Sequence, residues 1–304
     1  MMKKLSCDCC QATMQIVGDH KGFQHFRCPE CNYERFKSHE AVQSSDYEED
    51  MDYLDDISVY PSVDDRILWH HKHALQLLRD CNDNALRVLD VGCFDGFFVR
   101  KLKDHGIEAY GIDFNRKAIA DGAERFSLED RLSTKTTQEI LAEGGRFDAV
   151  TMFEVIEHLE DFQQVLKDCK SLLKPGGLFI ISAPNNDMSW RPPLDYPPHH
   201  LSRFSPKSLD KLVQKHGLRP LATIEQASLY DLIRHFVGLR FRNNDADSLR
   251  GGEFKNRKLV DPLRKFATRS KWIAYQLVSP IDKILHLFGF RYIGQIMIAE
   301  NPKS

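Results

Sequence analysis

The stretch Val88-Leu-Asp-Val-Gly-Cys-Phe-Asp-Gly-Phe-Phe98 constrains the fold of this chain more than any other. An apolar run ends in Asp90, a turn punctuated by Gly92 and Gly96 follows, and a helical pattern then begins. Chains build nucleotide-binding turns in this way, at the carboxyl end of a first parallel strand. Gly92 lets the strand turn sharply, and Gly96 lets backbone approach a ligand. The helix starting near Gly96 aims its amide N–H groups and positive dipole end at that ligand. Further on, Tyr110-Gly-Ile-Asp113 is a second apolar run ending in an acid, placed to accept hydrogen bonds from ribose hydroxyls.

Downstream, Phe147-Asp-Ala-Val-Thr-Met-Phe153 reads as a fourth strand, followed by Glu154-Val-Ile-Glu-His-Leu159. Phe162, Val165, Leu166, Cys169, Leu172 and Leu173 then recur at helical spacing. Lys174-Pro-Gly-Gly177 breaks that helix. Leu178-Phe-Ile-Ile-Ser-Ala183 is nearly all apolar, as expected of a strand buried on both faces. Ser205 caps a further helix with Pro206 at its first position, and Gly217 stops it. The third strand, residues 131–136, is faintly marked. This alternation across residues 86–226 predicts a doubly wound α/β sheet with its site at the carboxyl strand ends.

Together these phrases resemble the class I S-adenosylmethionine-dependent methyltransferases. Leu89-Asp-Val-Gly-Cys resembles their first-strand signature and Asp113 their second-strand acid. Phe147-Asp-Ala-Val with Glu154-Val-Ile-Glu-His-Leu159 resembles their fourth-strand phrase, and Leu173-Lys-Pro-Gly-Gly177 the phrase before their fifth strand. The resemblance covers residues 86–226 and a C-terminal strand within residues 290–300. It implies a seven-stranded Rossmann-like sheet with an antiparallel last strand. It also implies that Gly92 and Gly96 face the methionine part of S-adenosylmethionine, with Asp90 and Phe94 among the cofactor-binding residues. Asp113 would hold the ribose hydroxyls, with Phe114 near the adenine. The adenine edge would meet Thr136 and Thr137, and Phe153 and Glu154 would line the pocket. Phe94 departs from the family, standing where its middle glycine would be, which implies a narrower site. A nicotinamide dinucleotide would use the same strand–turn–helix physics, but the Glu-His-Leu and Lys-Pro-Gly-Gly phrases do not resemble that class.

Methyl transfer needs an aligned nucleophile and, for a hydroxyl, a group to take its proton. If residues 154–160 turn helically, Glu154, Glu157 and His158 share one face. Pro197-Pro-His-His-Leu-Ser-Arg-Phe204 would bring His199 and His200 to the same rim. Two carboxylates and two imidazoles suit a divalent ion such as Mg²⁺ or Mn²⁺. The phrase also resembles metal-dependent O-methyltransferases, including ubiquinone-pathway enzymes and small-RNA 3′-terminal methyltransferases. In those, two Glu and a His of this phrase with a later His hold the ion, here Glu154, Glu157, His158 and His200. Without metal, Glu154 and His158 only shape the pocket, and His158, His199 or His200 could serve as general base beside Glu157.

Cys7-Asp-Cys-Cys10 and Cys28-Pro-Glu-Cys31 are two C-x₂-C pairs with 17 residues between them. Two such knuckles give tetrahedral S₄ coordination suited to structural Zn²⁺, resembling a zinc ribbon, with Cys9 as a spare thiol. Disulfides or inert thiols are the alternative. The start of the chain has no apolar secretory core, and further cysteines are scattered, which argues against disulfides.

Residues 1–45 are expected to form the ribbon, and 46–85 an acidic linker and a lead-in helix from Asp64 to Leu78. Residues 46–56 carry seven acids and no base. Residues 86–226 and 291–304 would form the methyltransferase domain, and 227–290 a helical insertion. His70, His71 and His73 on the lead-in helix read as surface residues. The insertion holds eleven Lys or Arg against four acids across residues 234–271. Such a unit could be a lid, or lie on an anionic membrane surface with a lipid-linked substrate. A formal net charge of −2 gives no sign of a polyanion partner, and the ribbon makes no convincing nucleic-acid surface. With no apolar window long enough to span a membrane, a cytoplasmic enzyme is the simplest expectation, peripheral at the inner membrane at most.

The chain also resembles bacterial methyltransferases linked to sugar and cell-surface glycan pathways, which carry an N-terminal ribbon and a Pro-Pro-His-His-Leu phrase. That implies an acceptor oxygen on a small molecule, sugar or lipid-linked glycan. An RNA methyltransferase gripping its strand with ribbon and insertion, and a non-catalytic cofactor-binding scaffold, are the rival readings.

Overall fold

The computed structural model describes residues 5–38, 68–81, 86–189, 191, 195–226, 229, 271–291 and 294–303. Two compact units result: Met1–Glu40 with Leu68–Glu225 and Ile293–Ser304, and Ala41–Ile67 with Gln226–Tyr292. The acidic run at 46–56 and most of the basic run at 234–271 lie outside the described residues.

The first unit opens with three antiparallel strands, β1 (Gln15–His20), β2 (Phe23–Arg27) and β3 (Glu34–Ser38). Helix α1 (Trp69–Asp80) follows, then β4 (Arg87–Val91), α2 (Phe97–Asp104), β5 (Glu108–Ile112), α3 (Arg116–Phe126) and β6 (Leu132–Ser133). Next come α4 (Thr137–Ala142), β7 (Phe147–Phe153), a 3₁₀ turn (Ile156–His158), α5 (Phe162–Leu172) and β8 (Leu173–Pro184). The chain closes with β9 (Ser202–Arg203), α6 (Pro206–Lys215), β10 (Arg219–Glu225), α7 (Lys271–Leu287) and β11 (Gly294–Glu300).

The main sheet is a seven-stranded Rossmann-like array ordered β10-β11-β8-β7-β4-β5-β6. From β8 to β6 all pairings are parallel, and β11 runs antiparallel to both β8 and β10. Val88, Leu89, Val150, Met152, Phe179, Ile180 and Ile181 keep no exposed surface, as expected of strands covered on both faces. Chain order reverses between β4 and β7, so a crevice opens at their carboxyl ends.

Local chemistry explains the helix starts. Asn115 Oδ1 accepts from Ala118 N at 2.9 Å to cap α3, and the Ser205 hydroxyl accepts from Ser208 N at 3.0 Å to cap α6. Thr136 and Glu139 form a reciprocal capping box on α4.

Three expectations are corrected. The fifth strand begins at Leu173, not Leu178; residues 174–177 form a bulge, because Leu173 pairs with Phe147 and Leu178 with Ala149. The third strand is only Leu132–Ser133. His70 is not a surface residue. It is buried, stacked on Phe153 with centroids 5.1 Å apart, and His71 stacks on Phe98 at 5.0 Å. The expected residues 64–67 of that helix lie outside the described residues.

The ribbon sheet gains a fourth strand from far along the chain. β9 pairs with β3, Glu34 opposite Arg203 and Arg35 opposite Ser202. No helix among the described residues is long and apolar enough to cross a membrane.

Candidate active site and cysteine cluster

The turn after β4 is tight because three chain segments crowd it. Gly92 has φ 76°, and a Cβ there would lie 2.3 Å from Val155 Cγ2. Gly96 has φ 71°, and its Cβ would lie 2.6 Å from the Leu132 methyls. The glycine requirement at both positions is thus met within the chain itself, by the β7 exit loop and by β6. Gly122 of α3, which sequence reasoning missed, lets that helix pack on the turn: a Cβ would come 2.0 Å from Asp95 O. Phe94 sits at φ 51°, a left-handed conformation in which glycine would be unstrained.

Asp113 stands at the tip of β5 and holds this turn. Its Oδ2 accepts from Phe94 N at 2.8 Å and its Oδ1 from Asn115 N at 2.9 Å. Burial raises its pKa against those two amides. Each carboxylate oxygen retains a second lone pair for a further donor. Phe114 beside it is 58% exposed. Asp90 lies beneath, buried, accepting from Thr151 Oγ1 at 2.6 Å; burial and then the nearby Asp113 charge push its carboxyl up to about 7. Phe153 closes the wall against His70, His71 and Phe98. The Thr137 hydroxyl donates to Asp168 of α5 at 3.0 Å, between the two helices.

At the end of β7 the expected helical face does not form. Glu154 adopts φ 54° and only the single 3₁₀ turn Ile156–His158 follows. Glu154 therefore accepts from Ser182 Oγ at 2.7 Å, while staying close enough for its charge to act on Glu157. Glu157, His158 and His200 do converge, with one donor atom from each lying within 4.8 Å of the others. The two imidazole rings stand 4.8 Å apart, edge to face.

Each member of the trio is held from behind. His158 Nδ1 meets the His199 carbonyl at 2.6 Å, so His199 contributes its backbone to the trio. His200 Nδ1 meets Asp195 Oδ1 at 2.6 Å, and Leu201 N donates to Glu157 O at 2.8 Å. A neutral imidazole bonded through Nδ1–H carries its lone pair on Nε2. Burial, with the charge of His200, drives His158 down to about 3, so it stays neutral. Glu157 is buried, and neither carboxylate oxygen has a hydrogen-bond partner; burial and the neighbouring Glu154 hold its pKa well above the carboxylate range. A buried carboxylate without a partner beside two imidazoles fits a cation. The donor set, one carboxylate and two imidazoles, suits a first-row transition ion better than Mg²⁺.

In the ribbon, Cys7, Cys10, Cys28 and Cys31 bring their sulfurs within 4.8 Å of one another. Cys7 and Cys31 are 3.6 Å apart and Cys10 and Cys28 3.4 Å, near the roughly 3.8 Å edge of a tetrahedron with Zn–S bonds of about 2.3 Å. Gln11 and Asn32, both left-handed, close the knuckles by donating to the Cys7 and Cys28 carbonyls at 3.0 Å. Cys9, the spare thiol, is buried, and its amide donates to Cys7 Sγ at 3.4 Å. All eight cysteines are free thiols.

The methyltransferase domain family matches residues 68–223. A ubiquinone biosynthesis O-methyltransferase of Escherichia coli is 30% identical over 164 residues, covering 51% of this chain and 66% of that protein. One from Cereibacter sphaeroides is 34% identical over 155 residues, covering 45% and 62%. The chain thus spans just under two thirds of the curated relatives it matches. Among solved structures, phosphoethanolamine N-methyltransferase 2 of Haemonchus contortus with S-adenosyl-L-methionine superposes with a TM-score of 0.55 at 16% identity, covering 88% of this chain and 62% of that one; the likeness is one of fold.

Proposed function

Because the chain belongs to the methyltransferase domain family, we propose that it transfers a methyl group from S-adenosylmethionine to an oxygen of a small-molecule, sugar or lipid-linked glycan acceptor. The observation that carries this reading is the meeting of three strand ends at one crevice: the Gly92–Gly96 turn, Asp113, and the Glu157–His158–His200 trio. Bound S-adenosylmethionine would supply an electrophilic methyl on a sulfonium. Asp113 would accept from the ribose hydroxyls through its remaining lone pairs, with Phe114 beside the adenine. Asp90 would place negative charge under the cationic end of the cofactor.

The acceptor hydroxyl must lose its proton as it attacks. His200 suits that step, because an Asp195 partner on Nδ1 leaves Nε2 to accept. His158, held near 3, is too weak a base and serves as a neutral neighbour. The oxygens of Glu157, without partners, favour a second role for the trio. In that role, the alternative to base catalysis, Glu157, His158 and His200 would hold a divalent ion whose charge would ease ionisation of the hydroxyl, with His200 Nε2 then a ligand and not the base. Cys7, Cys10, Cys28 and Cys31 would hold structural Zn²⁺.

The test is incubation with methyl-labelled S-adenosylmethionine and a cell extract, followed by separation of lipid-glycan, RNA, protein and soluble pools. Label in the lipid-glycan or soluble pool is expected. Label in RNA would overturn the acceptor assignment, and no label despite cofactor binding would make the chain a scaffold.

A further inference from the structure

Glu34 lies on β3 of the ribbon and has no exposed surface. Three side chains converge on its carboxylate, two of them guanidiniums: His25 Nε2 at 2.8 Å, Arg27 Nη2 at 2.5 Å and Arg203 Nη1 at 2.9 Å. Two are the ribbon's own, whereas Arg203 arrives on β9 from the loop that carries His200.

Arg203 is 4% exposed and fixed on every side. Its guanidinium lies 4.2 Å from the Tyr196 ring centre and 4.7 Å from that of Phe36. Its Nε donates to the Asp195 carbonyl at 2.9 Å and lies 3.3 Å from Asp195 Oδ2; Nη2 donates to the same carbonyl. Arg191 also pairs with Asp195 Oδ2. Asp195, 2% exposed and flanked by two guanidiniums, is an ionised acceptor, so at its Oδ1 the His200 Nδ1 must be the donor.

We propose that Glu34 and Arg203 are positioning residues for the candidate active site: the ribbon carboxylate fixes Arg203, Arg203 fixes Asp195, and Asp195 holds His200 as the Nδ1–H tautomer with its lone pair on Nε2. A planar, two-sided guanidinium suits this relay because it can face two carboxylates at once. Without the Glu34 charge, Arg203 is balanced by Asp195 alone and competes with His200 for that carboxylate. The imidazole then loses its fixed partner. Arg191 keeps Asp195 charged through Oδ2, whereas Arg203 also clamps the Asp195 carbonyl through Nε and Nη2 and so fixes the backbone that carries the carboxylate.

The test reads the His200 ring directly, in two-bond proton–nitrogen spectra of the histidines of the full chain, assigned by the signal missing in His200→Gln. No methyl acceptor is needed, so the result stands apart from the proposed reaction. Wild type should show one Nδ1–H tautomer at His200. Glu34→Gln and Arg203→Met should show a tautomer mixture while zinc content and S-adenosylmethionine affinity are kept, and Arg203→Lys should recover part of the wild-type signal. Once an acceptor is available, kcat should fall by about 10–100-fold with KM for the cofactor unchanged, the usual effect of losing an outer partner. An unchanged His200 tautomer in both variants would overturn the proposal. So would loss of zinc, cofactor binding and fold together in both, which would make the contacts purely architectural.

Discussion

Single side chains at this site carry opposed demands of stability and chemistry. Gly122 is the sharpest case. In an exposed helix, Gly→Ala stabilises by about 1 kcal/mol, but here the new Cβ would meet a backbone oxygen at 2.0 Å. Gly122→Ala is therefore expected to destabilise by about 1–3 kcal/mol, read as a lower thermal midpoint, and to weaken cofactor binding as α3 backs off the turn. Glu157 makes the converse case. A buried carboxylate without a partner costs stability, so Glu157→Leu should raise the midpoint of metal-stripped protein while abolishing divalent-ion binding in titration calorimetry. Asp90 sets a pH dependence. Its folded pKa, about 7, lies above the ordinary 3.8, so the folded state holds more protons between those values and the Asp90 contribution to stability falls as pH rises through that window. A cationic cofactor favours the ionised form, so its Kd should rise as pH falls below 7, by up to about tenfold per unit, and Asp90→Asn should flatten the curve. A flat curve in wild type would show that Asp90 is not coupled to the ligand.

At the scale of elements, the sequence marks the long, doubly buried strands and the capped helices well. The runs of β4, β7 and β8 have no solvent face to interrupt them, and Ser205 with Pro206 announces α6 by local hydrogen bonding alone. What local patterns cannot show is where a short segment finds a distant partner. β9 is two residues long and exists because β3 is there to pair with it. Glu154 belongs to the same phrase as Glu157, but one left-handed residue sends its carboxylate to Ser182 on the next strand. His70 reads as solvated by its neighbours, yet the ring of Phe153 covers it. The ribbon illustrates the same dependence energetically. Glu34→Ala would leave the buried Arg203 without its main counter-charge, so a loss of about 3–5 kcal/mol is expected in denaturant unfolding, far more than for the exposed Arg100–Asp104 pair. If the four ribbon cysteines hold zinc as proposed, Cys28→Ser should abolish zinc binding and most β1–β3 amide protection in hydrogen exchange.

Over the first unit as a whole, these links join the ribbon to the main sheet side by side. Ser205 Oγ donates to Cys31 O at 2.6 Å, Tyr33 pairs with Ser202 at 3.1 Å, and Asn186 Nδ2 donates to Asn32 O at 2.7 Å. The ribbon should accordingly melt with the sheet in one calorimetric transition, and zinc chelation should lower that single transition; a separate low-temperature step would show the two to be independent. The four-stranded ribbon sheet has a consequence for exchange between proteins. Its strands come from two distant stretches of the sequence, so the ribbon cannot be transplanted by cutting at a linker. A graft of residues 5–38 alone would arrive without its outer strand and leave Glu34 facing a foreign surface. The inheritable module is the pair of segments 5–38 and 195–204, and recombination that respects one of them and not the other should yield chains that fold poorly.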